Sequence, residues 1–209
     1  MDTIRNRAKD KFPMVLLTLL SIVQALALEF LWDHMRHRDE IFEISVVALI
    51  GWLQISASLI VIILIWLMYA GMLMRFRWTP TVTDSIWPFF IGLVQFLMIE
   101  IMGAEKLAYW IIVLALIYGI TDFINHRAMK RARADPANRE FFERYLPATL
   151  RDFTPQITMV VVLILAGSWI WISGHQGWFA ICTLVGSLIG LCYEMHKAAR
   201  YWNVSMGKG

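Results

Sequence analysis

Six apolar runs, each close to the length that crosses a bilayer, constrain this chain more than any other feature. A transmembrane helix needs about 20 apolar residues to span about 30 Å of hydrocarbon, and the runs lie at 13–32, 46–73, 86–104, 107–123, 158–172 and 178–193. With 59% apolar and only 17% charged residues, the composition is not that of a soluble domain. The sequence predicts an all-α polytopic membrane protein with six transmembrane helices arranged as three helical hairpins. Because the turn at 173–177 is short, a re-entrant hairpin is the alternative for the last two runs.

The distribution of basic residues predicts the orientation of the helices. Lys and Arg near a span are retained on the cytoplasmic side. If the N-terminus is cytoplasmic, only Arg36, Arg38 and Lys106 of the 19 basic residues face outward. We therefore predict cytoplasmic N- and C-termini and a multi-pass location in a bacterial-type inner (plasma) membrane. This topology accounts for the basic composition with the lipid bilayer as partner and without a nucleic acid.

The spacing of the runs divides the chain into five parts. These are a basic cytoplasmic N-terminus at 1–12, transmembrane helices 1–4 at 13–127, a cytoplasmic loop at 128–154, transmembrane helices 5–6 at 155–196, and a cytoplasmic tail at 197–209. In the loop, Phe141, Phe142, Tyr145 and Leu146 are spaced to form one apolar helix face. We predict an interfacial amphipathic helix there, with a docking surface for a partner as the alternative.

Each odd-numbered run opens with an acid followed closely by a proline. The three pairs are Asp10 and Pro13, Asp84 and Pro88, and Asp152 and Pro155. An acid and a first-turn proline suit a helix N-terminus, where backbone N–H groups are unpaired and the helix dipole is positive. The pattern predicts helix starts at these points and agrees with three hairpins.

A polar signature occurs twice, as a Val-Gln pair followed after four residues by Glu. Gln24 with Glu29 and Gln95 with Glu100 fit this pattern. Polar groups are costly inside a bilayer, so they indicate function or helix packing. Five residues turn a helix by about 140° relative to the starting face, so Gln24 and Gln95 are predicted to pack helices together. Glu29 and Glu100, near the outer boundary, are candidates for ion contact in an outward-facing vestibule with Gln54, or for contact with lipid headgroups.

Two further polar groups lie within the apolar runs. Gln54 and Ser58 share a face of the second run at a four-residue spacing, and this face favours helix packing over a permeation lining. Asp122 belongs to a polar stripe at the inner end of the fourth run, and Glu194 lies at the inner end of the sixth. Each acid is predicted to receive a cytoplasmic Arg or, alternatively, to line an inner gate, so Asp122 is a further ion-contact candidate.

Motifs of the common enzyme and cofactor classes are missing from the sequence. The spans contain no central Lys for a Schiff base and no central His pair for haem, and the chain has no HExxH or Gly-x-Ser-x-Gly motif. His34 and His37 could suggest a metal, but Arg36 beside them argues against one. We predict no metal and no cofactor, and catalysis is not indicated.

Together these features predict an oligomeric channel or transporter for a small cation or solute, with outward-facing carboxylates. Six helices with short loops enclose little polar volume, so a homo-oligomer with a shared pathway is expected. The alternative is a structural or regulatory subunit packed on a larger membrane protein complex.

Overall fold

The computed structural model describes residues 2–143, 149–174 and 177–205, which contain helices and no strand. The α-helices of these ranges are α1 (Asp2–Arg36), α2 (Val46–Arg75), α3 (Val82–Glu100), α4 (Leu107–Arg133), α5 (Arg139–Glu143), α6 (Thr154–Ser173) and α7 (Trp178–Ser205). All except the short α5 are long and apolar enough to cross a membrane. The structure thus has the six spans of a multi-pass integral membrane protein.

Local side-chain contacts explain several helix ends. Before α2, the Ser45 hydroxyl accepts a hydrogen bond from the Ala48 N–H at 3.1 Å, which satisfies one of the unpaired donors of the first turn. Before α3, the Asp84 carboxylate accepts the Thr81 N–H at 2.8 Å. At the end of α6, Gly174 has a φ of 64°, a left-handed conformation that favours glycine.

The prolines mark helix starts at only one of the three expected positions. Pro155 lies in the first turn of α6, as expected. Pro13 and Pro88 instead lie inside α1 and α3, and α1 begins at Asp2. The expectation of a helix start at Pro13 is therefore wrong. A proline removes one backbone hydrogen bond, and contacts of the residues before Pro13 with the rest of the protein stabilise the continued helix.

The long helices pack in an order that differs from their order along the chain. α1 packs against α2 and α3, and α3 packs against α4. α6 packs mainly against α4, and α7 packs mainly against α2. α6 and α7 are consecutive but contact each other little. The last two helices therefore belong to two different pairs, α4–α6 and α2–α7.

One end of the bundle, which we call the basic end, is held together by ion pairs. Lys9 of α1 pairs with Asp135 after α4, and Arg77 after α2 pairs with Asp10 of α1. Arg131 of α4 binds the Asp84 carboxylate of α3. These contacts bring together the start of α1, the α2–α3 connection and the end of α4. At the opposite end, the α1–α2 connection meets the α3–α4 connection.

The segment after α4 packs partly on the protein. Phe142 of α5 is buried, stacks on Phe76 with ring centroids 5.2 Å apart, and lies under the Arg133 guanidinium. Tyr145 and Leu146, the other half of the predicted apolar face, lie outside the described residues. The interfacial helix stays a prediction, but the Phe142 ring contacts protein.

Candidate functional site

The two glutamines of the repeated signature contact each other. Gln24 of α1 and Gln95 of α3 are both buried. The Gln24 Nε2 donates to the Gln95 Oε1 at 3.0 Å, and the Gln95 Nε2 donates to the Gln24 Oε1 at 3.1 Å. Because each amide satisfies the other, the pair joins α1 to α3 and leaves little polar surface for a solute.

The two glutamates of the signature lie on the outside of the bundle. Glu29 and Glu100 are both exposed. Glu100 lies near His34 of α1. This position suits contact with headgroups or solution, and the two carboxylates are not enclosed by the helices that carry them.

Side chains from α2 and the α1–α2 connection close the end opposite the basic end. The fully buried Gln54 accepts a hydrogen bond through Oε1 from the Gly103 N–H at 3.0 Å. Arg38 donates to the Met102 carbonyl oxygen at 2.6 Å. Gly103 has a φ of 128°, a backbone conformation that L side chains rarely adopt. Ser58 is also fully buried, and its hydroxyl has no hydrogen-bond partner among the described residues.

A cavity of about 200 Å³ lies between α4, α6 and α7 in the half of the bundle nearer the basic end. α6 packs along α4 whereas α7 packs along α2, so a gap remains between α6 and α7. We call it the α6–α7 cavity. Its wall includes Tyr118 of α4, Gln156 and Met159 of α6, and Gly190, Tyr193 and Glu194 of α7.

A glycine on α7 brings three helices together at this cavity. A Cβ at Gly190 would lie 2.0 Å from the Met159 Cε and 3.7 Å from the Tyr118 hydroxyl oxygen. Only glycine therefore leaves room for the present position of the Met159 side chain. Since methionine is flexible, its end is the part of the wall that moves most easily.

The polar groups of the cavity come from all three helices. The Gln156 Nε2 donates to the Glu194 Oε1 at 3.2 Å, and the Lys197 Nζ lies 3.6 Å from the Glu194 Oε2. Two acceptors, the Gln156 Oε1 and the Tyr118 hydroxyl oxygen, are buried without a hydrogen-bond partner among the described residues. Buried polar atoms of this kind are uncommon because each costs about 1–3 kcal/mol.

A second carboxylate lies beside the cavity. Asp122 is one turn from Tyr118 on α4, is half-buried, and is close enough to Glu194 and Lys197 for their charges to interact. In the sequence, Asp122 and Glu194 are acids at the ends of two different helices. In the fold they are close enough for their charges to interact. The basic residue beside Glu194 is Lys197, with its Nζ 3.6 Å from the Glu194 Oε2.

The sequence reasoning did not identify Gln156 or Gly190. Gln156 follows Pro155 in the first turn of an apolar helix, where a polar residue is usual and indicates nothing. Gly190 is one of several glycines in a transmembrane helix. Their importance comes from the helices that pack around them, which the local sequence does not indicate.

No group of three or more His, Cys, Asp or Glu side chains in the described ranges could hold a metal ion. The cavity lining offers the Glu194 carboxylate, an amide and phenol groups, and the Asp122 carboxylate lies one turn from Tyr118. Such groups bind hydrogen-bond donors and positive charge.

Comparison with protein-family models, curated proteins and solved structures found no match to this chain. Its function is therefore inferred from its own residues.

Proposed function

We propose that this chain is a membrane transporter for a small, positively charged solute and that the α6–α7 cavity is its binding site. One observation carries the proposal. Glu194 of α7 lines the cavity and is close enough to Asp122 of α4 for their charges to interact. Gln156 and Tyr118 also line it, and each has a buried side-chain oxygen without a partner among the described residues. Ionisable groups inside a membrane are costly and mark solute pathways in many membrane proteins.

The charges of the site favour a monovalent cation. With both carboxylates ionised, Asp122 and Glu194 supply two negative charges and Lys197 one positive charge, so one negative charge remains. An uncompensated charge in a low-dielectric site is unfavourable. A cation with one positive charge would neutralise it, whereas an anion would be repelled.

The position of the cavity agrees with an inward-facing state. By the positive-inside rule we propose that the basic end and both termini are cytoplasmic, and we propose a bacterial-type inner membrane as the location. The cavity is then in the cytoplasmic half, and the contacts of Gln54 and Arg38 close the other half. Transport would require these contacts to open, through movement of the helices relative to one another or in a homo-oligomer with a shared pathway.

The exposed carboxylates Glu29 and Glu100 have a smaller role in this proposal. They lie at the end that would be outside and would raise the local concentration of cations by electrostatic attraction. Because they are exposed, solvent and salt screen their charges. We therefore expect them to modulate the rate of uptake rather than to bind the solute.

The test is cation flux in proteoliposomes that contain the purified full-length chain. Currents on a solid-supported membrane would be recorded after addition of KCl, NaCl or methylammonium chloride. We expect at least one of these to give a current with the wild-type protein. Asp122→Asn with Glu194→Gln should reduce that current about tenfold, the effect of about 1.4 kcal/mol.

The matched control replaces the exposed pair, Glu29→Gln with Glu100→Gln, and should reduce the current about twofold or less at physiological salt. Equal loss in both double variants, or no current with any cation, would contradict the proposal. Recovery of a defined complex from the native membrane together with an absence of current would favour the alternative, a structural or regulatory subunit.

A further inference from the structure

We infer that the solute of the α6–α7 cavity is an organic ammonium, a protonated primary amine with a short apolar body, rather than an inorganic cation. The inference rests on the site proposed above and names the chemical class that the site recognises.

The size of the cavity argues against a bare ion. Hard inorganic cations such as Ca²⁺ and Mg²⁺ need a close shell of about six oxygen ligands, but the cavity has a volume of about 200 Å³ and is open at one side. This is the volume of roughly six or seven water molecules at about 30 Å³ each. It is smaller than the pockets of about 300–1,000 Å³ that hold drug-sized ligands. A solute of a few carbon atoms and one charged group fits this size.

The wall of the cavity is largely apolar. Met159 and Val162 of α6 supply aliphatic and thioether surface, and Tyr118 and Tyr193 supply aromatic rings. An apolar body would gain from leaving water here. Aromatic faces also attract ammonium groups. An inorganic cation would gain nothing from the aliphatic part of this wall.

The polar atoms match the donors of a primary ammonium. Such a group has three N–H donors and no acceptor. The Glu194 carboxylate, the Gln156 Oε1 and the Tyr118 hydroxyl oxygen are acceptors of three residues that line the cavity, and the last two have no partner among the described residues. Binding an ammonium would therefore satisfy two buried oxygens that the protein leaves unpaired.

Met159 lies near one of these acceptors, the Tyr118 hydroxyl. The two unpaired oxygens are covered, and the Met159 Cε and the Tyr118 hydroxyl both lie beside Gly190. A small shift of the flexible Met159 side chain would expose the hydroxyl without moving a helix. At Gly190, an alanine Cβ would displace Met159 from its present position, which changes the cavity from within.

The ammonium could come from a free amine or from the headgroup of an aminophospholipid. The cavity is open at one side, where Pro155, Thr158 and Tyr193 are exposed. Both sources present the same R–NH₃⁺ group to Glu194. They are separated by whether binding needs lipid.

The experiment detects binding through the thermal stability of the purified full-length chain in lipid-depleted detergent. Thermal unfolding would be followed while butylammonium or phenethylammonium chloride is added, against butanol, tetramethylammonium chloride and NaCl at constant ionic strength. We expect saturable stabilisation by the two primary amines, with an apparent affinity at least about tenfold above that for butanol.

Three variants locate the binding. Glu194→Gln and Tyr118→Phe, which keep the shape of the side chain, should each weaken amine binding about tenfold or more. Gly190→Ala should also weaken it, whereas Gly186→Ala, one turn away with open space at its Cβ position, should not. Equal effects of amine and butanol, or full amine binding in Glu194→Gln, would overturn the inference.

Thermal stabilisation measured in lipid nanodiscs identifies the source of the ammonium group. If detergent-solubilised protein binds free amines, a soluble amine is the ligand. If stabilisation occurs only in nanodiscs with phosphatidylethanolamine and not with phosphatidylcholine, the ammonium belongs to a lipid. Amine binding without any cation current would keep this inference and contradict transport, whereas K⁺ or Na⁺ current without amine binding would do the reverse.

Discussion

The reciprocal hydrogen bonds of Gln24 and Gln95 show how single residues hold transmembrane helices together in this protein. Hydrocarbon offers no water to pair a buried amide, so an amide facing lipid is unfavourable. Each of these two amides satisfies the other across the α1–α3 contact. Polar pairs of this kind contribute about 0.6–1.7 kcal/mol in membrane proteins.

Gln24→Leu should destabilise the protein by about 1–2 kcal/mol, because it leaves the Gln95 amide buried and unpaired. The double variant with Gln95→Leu should lose less than the sum of the two single losses, since it removes both polar groups. Unfolding by SDS in mixed micelles measures these free energies. Additive losses within about 0.3 kcal/mol would show that the two amides act independently.

The N-terminal extension of α1 is the element that connects most parts of the basic end. Lys9 pairs with Asp135 and Asp10 with Arg77. Asn138 accepts the Arg77 N–H at 3.0 Å and donates to the Ala132 carbonyl oxygen at 2.7 Å. Through these contacts the first turns of α1 are fixed to the loops beside α2 and α4, which explains why the helix continues on both sides of Pro13.

Acid should release this extension. Burial alone would raise the pKa of Asp135, but the Lys9 hydrogen bond, the Ala137 N–H and the charges of Lys9 and Arg77 hold that pKa below its usual range. The folded pKa is lower than the unfolded one, so the stabilisation is present above about pH 4 and is lost as the pH falls through the folded pKa. Hydrogen exchange of the α1 amides before Pro13 should therefore be slow at pH 7 and faster, after correction for intrinsic rates, below pH 4.

Lys9→Met should make this exchange fast already at pH 7. Lys11→Met is the matched control, because Lys11 is exposed on the same helix. A corrected exchange rate that is independent of pH in the wild-type protein would rule out the Lys9–Asp135 contact as the restraint.

The elements themselves were largely predictable, but their partners were not. The six spans follow from hydropathy alone, since a span needs only a long apolar run. The start of α1 differed from prediction because the proline rule is local, whereas Lys9 and Asp10 find partners in distant loops. No sequence pattern indicates that α6 packs on α4 and α7 on α2, since each of these helices carries apolar residues on several faces. For the same reason, the proximity of Asp122 to Glu194 could not be predicted, although each had been identified.

The whole molecule combines a closely packed part with an open one. Buried residues such as Leu20, Met98 and Trp110 join α1, α3 and α4 in the shared core. The last two helices extend this core on different sides, α6 through α4 and α7 through α2. The gap between them is the α6–α7 cavity, where we propose that the solute binds.

The orientation of the whole molecule determines the direction in which the α6–α7 cavity opens, and it can be measured by cysteine labelling. Cys182→Ser with Cys192→Ser removes the two native thiols. Single cysteines would then be introduced by Asp39→Cys at the end opposite the basic end and by Lys130→Cys at the basic end. Both positions are exposed.

Because the basic residues concentrate at the end that carries Lys130, the positive-inside rule predicts that this end is cytoplasmic. In intact spheroplasts, a membrane-impermeant maleimide should label the Asp39→Cys protein, and it should label the Lys130→Cys protein only after the membrane is permeabilised. The reverse pattern would place the cavity in the outer half of the membrane, and the solute would then enter it from outside the cell.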